Sequence, residues 1–186
     1  MPPRVKVTKE DIINTAIDLV RKDGADAINA RTLASLLDCS TQPIFSNFAT
    51  MDELHLAVLG HADAIYNKYI QQEIKSGKYP PYKASGMAYI RFAKEEKELF
   101  KLLYMRDRTA EGFIENSAFG ELMDSVIKPS IGLDGQEASL FHLEMWAYVH
   151  GIATMFATGY LDLDWELVSK MLTDAYKGLR KQYRME

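Results

Sequence analysis

The strongest constraint on the fold is a series of helix start and stop signals, between which apolar residues recur every three or four positions. Near the N-terminus, Thr8 can cap a helix, acidic residues follow in its first turn, and Gly24 is a natural stop. The apolar face between these signals consists of Ile13, Ala16, Ile17 and Val20. The sequence therefore predicts a first helix over about residues 9–22.

A second, shorter helix is predicted after this stop. It begins near Arg31, with Asn29 or Ala30 at its cap, and ends around Cys39. The apolar residues that we expect it to bury are Leu33, Leu36 and Leu37. A helix of about two turns is too short to be stable alone, so it must pack on its neighbours.

A third short helix is predicted to begin at Ser40, whose hydroxyl can accept hydrogen bonds from first-turn amides. Pro43 falls in the first turn, where a missing amide hydrogen costs little. Ile44 and Phe48 are four residues apart and are expected to pack on the two preceding helices. The remaining face carries Thr41, Gln42, Phe45, Ser46 and Asn47. Such a face is typical of the recognition helix of a helix-turn-helix, although a solvated helix in an all-helical domain has the same periodicity.

The rest of the chain is also predicted to be helical. Thr50 and Glu53 form a capping-box pattern that opens a long helix reaching about Lys75, and Pro80 and Pro81 break the chain after it. Further helical patterns cover about residues 83–95, 97–105, 112–128, 136–158 and 165–183. The predicted fold class is all-α, with an N-terminal three-helix helix-turn-helix domain followed by a larger helical bundle.

Composition excludes several classes of protein. The hydrophobic share of 47% and the charged share of 26% are ordinary for a globular chain, and the formal net charge of −4 argues against a generally basic nucleic-acid binder. The single cysteine, Cys39, cannot form an internal disulfide. Because the sequence has no signal-peptide pattern and no apolar run long enough to span a membrane, we expect a soluble, cytoplasmic protein.

Local charge is unfavourable for DNA binding near the N-terminus. Residues 1–53 carry six basic and eight acidic side chains, a net charge of −2. Placement offsets this deficit, since Arg4, Lys6 and Lys9 can form an N-terminal arm and Arg31 begins the second helix. Backbone amides at the starts of the second, third and fourth helices can add phosphate contacts. We therefore expect DNA binding that weakens steeply with salt.

Residues 8–54 resemble the DNA-binding domain of the TetR family of bacterial transcriptional regulators. The resemblance rests on "IINTAIDLVRKDGADAINARTLASLLDCS" followed by "TQPIFSNFATMDEL", in the family's order and spacing. Phe45 replaces the family's usual Tyr, Met51 replaces its usual Lys, and Gln42 and Pro43 replace a common Gly-Thr pair. The first two replacements remove a hydroxyl and a cation that can contact phosphate.

This resemblance implies a DNA-binding domain over residues 1–50 and a ligand-binding and dimerisation domain over residues 51–186. The implied DNA-contacting residues are Arg4, Lys6, Arg31, Thr32, Ser40, Thr41, Gln42, Pro43, Phe45, Ser46 and Asn47. The implied function is a repressor that a small apolar or aromatic ligand releases from a palindromic double-stranded DNA operator. The alternative is a ligand-binding or interaction module that has lost sequence-specific DNA binding.

The segment "WAYVHGIATMFATGYLDLD" contains Trp146, His150 and Gly151 in the W-x-x-x-H-G arrangement that one class of TetR-family C-terminal domains, the WHG class, shows. The helix that carries this segment is apolar nearly all round, so several of its sides need cover, and a second subunit can supply part of it. By similarity, the last two helices pair with their mates in a homodimer. The residues expected at that contact are Phe141, Met145, Val149, Ile152, Phe156, Leu172 and Tyr176.

A pocket for a small-molecule inducer is implied as well. The residues expected to line it are Phe92, Phe100, Tyr104, Met105, Met123, Trp146 and His150. Aromatic and methionine side chains suit an apolar or planar ligand, whereas each of them taken alone is more often plain core.

Enzymatic signatures are absent from the sequence. It contains neither a P-loop nor a GxGxxG pattern, and its four histidines lack the spacing of a zinc site. The stretch that begins at Asp162 has Leu167 where a calcium loop needs glycine, and it is better interpreted as a helix cap. We therefore predict no catalytic residue, no metal site and no cofactor.

Overall fold

The computed structural model of the protein describes residues 7–107, 128–133 and 135–183. Within these ranges the regular structure is entirely helical, which confirms the all-α prediction. The helices are α1 (Lys9–Asp23), α2 (Ala30–Leu36), α3 (Gln42–Asn47), α4 (Met51–Lys75), α5 (Pro81–Glu95), α6 (Lys97–Tyr104), α7 (Lys128–Ile131), α8 (Gly135–Thr158) and α9 (Trp165–Gln182), with a 3-10 turn at Ala25–Ala27. The helix predicted over about residues 112–128 lies almost entirely outside the described residues. No helix in the described ranges is both long and apolar enough to cross a lipid bilayer.

The chain divides into two compact units. The N-terminal unit contains residues up to Tyr66 together with Glu96–Arg106, so it combines α1, α2, α3, the first part of α4 and α6. The C-terminal unit contains Asn67–Glu95 and the chain from Asp107 onward, which includes the last part of α4 with α5, α7, α8 and α9. The boundary between the two compact units therefore lies within α4, whereas the sequence suggested a domain boundary after residue 50.

Local signals explain where α1 begins and ends. The Asp11 amide donates to the Thr8 hydroxyl over 3.1 Å, and the Thr8 amide donates back to the Asp11 carboxylate over 2.9 Å, which completes a capping box. Gly24 ends the helix with a φ of 83°, a left-handed value that glycine adopts without strain. Between these ends, α1 buries Ile12, Ala16, Ile17, Leu19 and Val20. The predicted position of α1 is therefore correct to within one residue.

The second helix begins at the predicted cap but buries fewer leucines than expected. The Asn29 side chain accepts from the Thr32 amide over 2.9 Å, and Leu33 is fully buried. Leu36, in contrast, is 57% exposed, so its predicted burial is wrong. The buried face of α2 is centred between Leu33 and Ala34, and at about 100° per residue Leu36 lies roughly 110° away from that centre.

Ser40 is not the cap of α3. The N-cap residue is Thr41, whose backbone is already α-helical at φ −70° and ψ −14°, and its side chain makes no capping hydrogen bond. A capping side chain normally requires an extended backbone at that position, so a helical Thr41 leaves the capping arrangement unformed. Pro43 does lie in the first turn, as predicted.

In the C-terminal unit, α5 packs along α8, and α9 packs on both. Gly86 of α5 makes the close approach of α9 possible, because a Cβ atom at this position would lie 3.1 Å from Leu172 Cδ2. The core at one end of this unit consists of Ile131, Ala138, Phe141 and Met145 with the surrounding rings of Tyr82, Tyr176 and Tyr183. Asp164 caps α9 by accepting from the amides of Glu166 and Leu167, which agrees with the predicted cap in this stretch.

A buried carboxylate holds the end of α4 within the C-terminal unit. Glu73 has a side chain only 6% exposed and pairs with Arg91 of α5 over 3.2 Å. The Arg91 guanidinium also lies 5.7 Å from the centre of the Trp165 ring at the start of α9. Three helices therefore meet at one ion pair.

Candidate nucleic-acid interface

The turn between α2 and α3 is tight and closed by backbone contacts. The Cys39 amide donates to the Ala34 carbonyl over 2.9 Å, and Asp38 adopts a φ of 49°, a left-handed value that aspartate tolerates better than most residues. α2 and α3 contact each other, and α2 also packs on α1. The three helices thus have the connectivity and the short turn of a helix-turn-helix.

The two faces of α3 differ sharply in exposure. Ile44 is fully buried and Phe48, directly after the helix, is 2% exposed, as the sequence predicts. On the other face Phe45 is 50% exposed, and Gln42 and Ser46 are exposed as well. Half of the Phe45 side chain is therefore accessible on the same face as two exposed polar residues. We call Gln42, Phe45 and Ser46 the α3 ridge.

Asn47 does not belong to the α3 ridge, contrary to the sequence expectation. Its side chain is half-buried, and its amide nitrogen donates to the Pro43 carbonyl over 2.9 Å and to the Val7 carbonyl over 3.3 Å. Val7 lies 40 residues earlier in the chain, which is why helical periodicity gave no signal for this contact. The other predicted DNA contacts near it are Thr32, Thr41 and Pro43, which are half-buried, and Arg31 and Ser40, which are exposed.

Two cationic side chains of the N-terminal unit form ion pairs with carboxylates. Lys9 is the first residue of α1, and its Nζ lies 3.4 Å from the Glu53 carboxylate and 5.0 Å above the Phe48 ring centre. Arg21 pairs with Glu96 over 2.7 Å. Arg31 is exposed at the second residue of α2, while the predicted arm cations Arg4 and Lys6 lie outside the described residues. Lys9 is thus a helix residue rather than part of the arm.

The start of α4 is already occupied by its own side chains. The Ala49 amide donates to the Glu53 carboxylate over 2.7 Å, and the Glu53 amide donates to the Thr50 hydroxyl over 3.1 Å. The Ala49 hydrogen bond holds the pKa of Glu53 below its ordinary value, so this carboxylate stays ionised at neutral pH. A negative charge therefore lies beside the first-turn amides of α4 that the sequence suggested as phosphate contacts, and it disfavours an anion there.

Two tyrosine–histidine pairs join α5 to α8 in the C-terminal unit. Tyr82 Oη lies 3.1 Å from His142 Nδ1, and Tyr89 Oη lies 2.9 Å from His150 Nδ1. The His150 ring also stacks on Trp146, with 4.8 Å between ring centres and an interplanar angle of 18°. Burial lowers the pKa of His142 to about 4 and also lowers the pKa of His150, so the two imidazoles are neutral at pH 7. No sequence signal pointed to the two tyrosine contacts, although the sequence placed His150 among the expected pocket residues.

Residues 82–175 match the family model of the tetracyclin repressor-like C-terminal domain. The chain belongs to the TetR family of transcriptional regulators. The matched range contains both tyrosine–histidine pairs and the Trp146, His150 and Gly151 pattern. The family assignment inferred from the N-terminal motif is thereby confirmed from the other end of the chain.

Two solved structures from Rhodococcus sp. RHA1 share the fold of this TetR-family protein. A protein with unknown function matches with a TM-score of 0.73 at 22% identity, over 98% of this chain and 98% of that chain. A TetR-like transcriptional regulator matches with a TM-score of 0.68 at 16% identity, over 96% of this chain and 98% of that chain. No curated protein sequence matches the chain.

The expected ligand-pocket residues of this TetR-family protein fall into separate groups. In the N-terminal unit, Phe100 is fully buried against the half-buried Tyr104, which also contacts Tyr66 edge to face, and Met105 is 42% exposed. In the C-terminal unit, Phe92 is fully buried and contacts Tyr69, while Trp146 and His150 form the stack described above. Met123 lies outside the described residues. Across residues 7–107, 128–133 and 135–183, no three histidine, cysteine, aspartate or glutamate side chains converge as a metal site.

The residues expected at the subunit contact lie instead in the core of a single chain. Six of them are at most 7% exposed, namely Phe141, Met145, Val149, Ile152, Phe156 and Leu172. The seventh, Tyr176, is half-buried, packs edge to face on Phe141 at 5.6 Å and donates to the Ser130 carbonyl. This expectation is wrong because α8 is apolar on two faces, and the face with these residues packs on α5 and α9.

The second apolar face of α8 is exposed in the single chain. Leu140 and Leu143 are each 51% exposed, Tyr148 is 40% exposed and Trp146 is 37% exposed. Ala147 is exposed between them, and a Cβ atom built on Gly151 would meet nothing within 4 Å. We call Leu140, Leu143, Ala147, Tyr148 and Gly151 the outer face of α8. Its residues were in the sequence pattern, but periodicity alone did not show which face packs within the chain.

Proposed function

We propose that this TetR-family protein is a homodimeric repressor that binds a palindromic operator through α3 and leaves it when a small apolar or aromatic ligand binds. Membership of the family is the general support for transcription regulation and DNA binding. The specific support comes from two surfaces, the α3 ridge in the N-terminal unit and the outer face of α8 in the C-terminal unit.

The α3 ridge is the observation that carries the DNA-binding part of the proposal. A six-residue helix whose Ile44 is buried and whose Phe45 is 50% exposed presents a partly aromatic surface with an amide at Gln42. The Ser46 hydroxyl on this surface donates to the Gln42 carbonyl over 2.9 Å, so its oxygen is left as an acceptor. Glutamine can pair with adenine through one donor and one acceptor, and a phenylalanine ring can contact a thymine methyl group. These are the chemical groups of direct readout in a major groove.

The weak positive charge of the N-terminal unit should limit its non-specific affinity for DNA. Lys9 and Arg21 are paired with carboxylates, and the N-terminus of α4 is occupied by Glu53. Few phosphate contacts are then left to the described part of the N-terminal unit, mainly at Arg31, and non-specific affinity should be low. The repressor would depend on the α3 ridge and on the arm cations Arg4 and Lys6.

The outer face of α8 is the surface that we assign to dimerisation. Two leucines half exposed on one helix face, next to a small residue and an open glycine, allow close packing against a second helix. Leu167 of α9 is also 46% exposed. A twofold pairing of the outer face of α8 presents two copies of α3 to two half-sites, which fits a palindromic operator.

Release by a ligand is proposed as a population shift. α4 begins in the N-terminal unit and ends in the C-terminal unit, so a ligand that favours one arrangement of α4 changes the fraction of dimers with both α3 helices at half-site spacing. The buried and half-buried aromatic side chains of α5 and α8 suit an apolar or planar molecule. The ligand must bind the DNA-free arrangement more tightly than the DNA-bound one, because equal affinity shifts nothing.

Selection of an operator tests the proposal. The wild-type protein should enrich a palindromic sequence from a random duplex library, and Gln42→Ala should weaken binding to that sequence by about 10- to 100-fold, which corresponds to about 1–3 kcal/mol for one base contact. Gln71→Ala is the matched control, since Gln71 is an exposed glutamine of α4 outside the α3 ridge. If no sequence is enriched at low salt, the DNA-binding part of the proposal is wrong.

The second candidate function is a ligand-binding or interaction module without sequence-specific DNA binding. It is favoured by the loss of the tyrosine hydroxyl at Phe45, the loss of the lysine at Met51 and the ionised Glu53 at the start of α4. The same selection separates the two candidates. A dimer that enriches no operator but responds to small molecules by a raised melting temperature would support the module.

A further inference from the structure

The side-chain hydrogens of α3 are largely used on backbone carbonyls of the same chain. The Ser46 hydroxyl donates to the Gln42 carbonyl over 2.9 Å. Asn47 Nδ2 donates to the Pro43 carbonyl over 2.9 Å and to the Val7 carbonyl over 3.3 Å. A hydroxyl has one hydrogen and a primary amide nitrogen has two, so Ser46 and Asn47 keep only oxygen acceptors for another partner.

Gln42 is the exception among the polar side chains of α3. It is exposed, and within the described residues its side-chain amide makes no hydrogen bond. The side chains of Pro43, Ile44 and Phe45 carry no polar group, and the helix contains neither arginine nor lysine. The Gln42 amide is therefore the side-chain N–H donor that α3 can offer to DNA.

This set of groups discriminates between base pairs in a major groove. Guanine presents two acceptors, N7 and O6, and its usual partner is an arginine or a lysine. α3 has neither of these side chains, and the oxygens of Ser46 and Asn47 cannot donate to a guanine acceptor while their hydrogens are held by backbone carbonyls. Adenine presents one acceptor and one donor, which match the donor and the acceptor of the Gln42 amide.

Phe45 adds an apolar contact beside Gln42. Its side chain is 50% exposed and lies three residues further along the same helix face. An apolar side chain in the major groove can contact the C5-methyl group of thymine, which the other bases lack. Three residues advance an α-helix by about 4.5 Å, and neighbouring base pairs are about 3.4 Å apart, so the two side chains are spaced for adjacent base pairs.

We propose that α3 reads two adjacent A·T base pairs in each operator half-site, through an adenine edge at Gln42 and a thymine methyl group at Phe45, and contacts no guanine edge. This inference rests on the proposed DNA-binding function and names the base chemistry that the same surface accepts. A guanine elsewhere in the operator then contributes to affinity independently of α3.

Base analogues in the selected operator test the inference without any change to the protein. Replacement of single adenines by 7-deazaadenine removes the N7 acceptor, and replacement of single thymines by uracil removes the methyl group. At one adenine the first change should weaken wild-type binding by about tenfold, and at an adjacent base pair the second should weaken it by about three- to fivefold. Unchanged binding with 7-deazaadenine at every adenine would overturn the adenine contact.

Variants of the α3 ridge assign each analogue effect to a side chain. The 7-deazaadenine effect should vanish in Gln42→Ala and the uracil effect in Phe45→Ala, whereas both should persist in Ser46→Ala, the matched control on the same face. At every guanine, 7-deazaguanine should have the same effect on the wild type and on all three variants. A 7-deazaguanine effect that disappears in any variant would show a guanine contact of α3 and contradict the inference.

Gln42→Arg gives a gain of function that misfolding cannot imitate. Arginine pairs with both guanine acceptors, so this variant should select guanine at the position where the wild type selects adenine. Retention of adenine at that position would overturn the role of Gln42.

Failure of the proposed function gives a different result from failure of this inference. If the wild-type chain selects no operator, the proposed function is wrong and the inference falls with it. If an operator is selected but the analogue effects do not follow the α3 variants, DNA binding stands and only the base assignment is wrong.

Discussion

α1 and α8 are both amphipathic in sequence, but they differ in the number of apolar faces. α1 has one apolar face, and its opposite side carries exposed charges such as Asp18 and Lys22. α8 buries Phe141 and Met145 on one face and exposes Leu140 and Leu143 on another. The sequence identified three of the buried residues of α1, namely Ala16, Ile17 and Val20. Ile13 is only half-buried, and Ile12 and Leu19 are buried in addition.

A helix with two apolar faces needs two partners, and periodicity does not assign a partner to each face. In α8 the face with Phe141 and Met145 packs within the chain, while the face with Leu140, Leu143 and Gly151 is exposed in the single chain. The sequence analysis assigned to the subunit contact the face that is buried within the single chain. Side-chain size does not separate the two faces either, since Trp146 and Tyr148 are 37% and 40% exposed.

The largest effect that separates the two faces is expected from truncation of Phe141. This side chain is fully buried and contacts the rings of Tyr82, Tyr176 and Tyr183. Phe141→Ala should lower the free energy of unfolding by about 3–5 kcal/mol, because it removes buried area and leaves a cavity. Urea titration monitored by circular dichroism measures the change.

Leu143→Ala is the matched truncation on the outer face of α8. At protein concentrations low enough to keep the chain monomeric, it should change the free energy of unfolding by less than about 1 kcal/mol. Equal losses for Phe141→Ala and Leu143→Ala in the monomer would remove the distinction between the two faces.

The free energy of unfolding is expected to depend on pH through a histidine at the border between the two faces of α8. His142 lies at this border and accepts or donates a hydrogen bond with Tyr82, and burial lowers its pKa from 6.5 to about 4. Between these values the unfolded chain binds the proton and the folded chain does not, so stability falls as pH falls from about 6.5 to 4, by up to about 3 kcal/mol. His142→Gln should flatten this dependence in urea titrations, and an equal slope in both proteins would contradict the burial of a neutral imidazole.

The smallest of the three effects is expected on the dissociation constant of the proposed homodimer. Leu143→Glu places a charge on the outer face of α8, and it should weaken dimerisation by about 10- to 100-fold, because burial of an unpaired carboxylate is unfavourable. Sedimentation velocity over a concentration series measures the dissociation constant. Leu56→Glu is the control, since Leu56 is 69% exposed on α4. Dimers that tolerate Leu143→Glu as well as Leu56→Glu would place the subunit contact elsewhere.

Features encoded by neighbouring residues were predictable, because their energetics are local. The caps at Thr8 and Asp164 and the stop at Gly24 follow from side chains within three residues of the helix end. The exception is Ser40, where the backbone of Thr41 is helical and no capping side chain is used. Leu36 is exposed because it lies roughly 110° from the centre of the buried face of α2.

Features encoded by distant residues were not predictable from one sequence. The α3 ridge was recognised because its periodicity lies within six residues, but the Asn47 contact spans 40 residues of chain. The two tyrosine–histidine pairs span 60 and 61 residues. The seven-residue spacing of the two tyrosines and the eight-residue spacing of the two histidines are compatible with two facing helices, yet many other pairings fit the same spacing.

The ion pair between Glu73 and Arg91 limits how α4 can move. A slide of α4 along α5 by one turn, about 5.4 Å, would leave a 6%-exposed carboxylate without its guanidinium, at a cost of about 3–5 kcal/mol. Arg91 is held in turn by the Trp165 ring, so it cannot follow easily. The ion pair therefore holds the last turns of α4 in one register against α5.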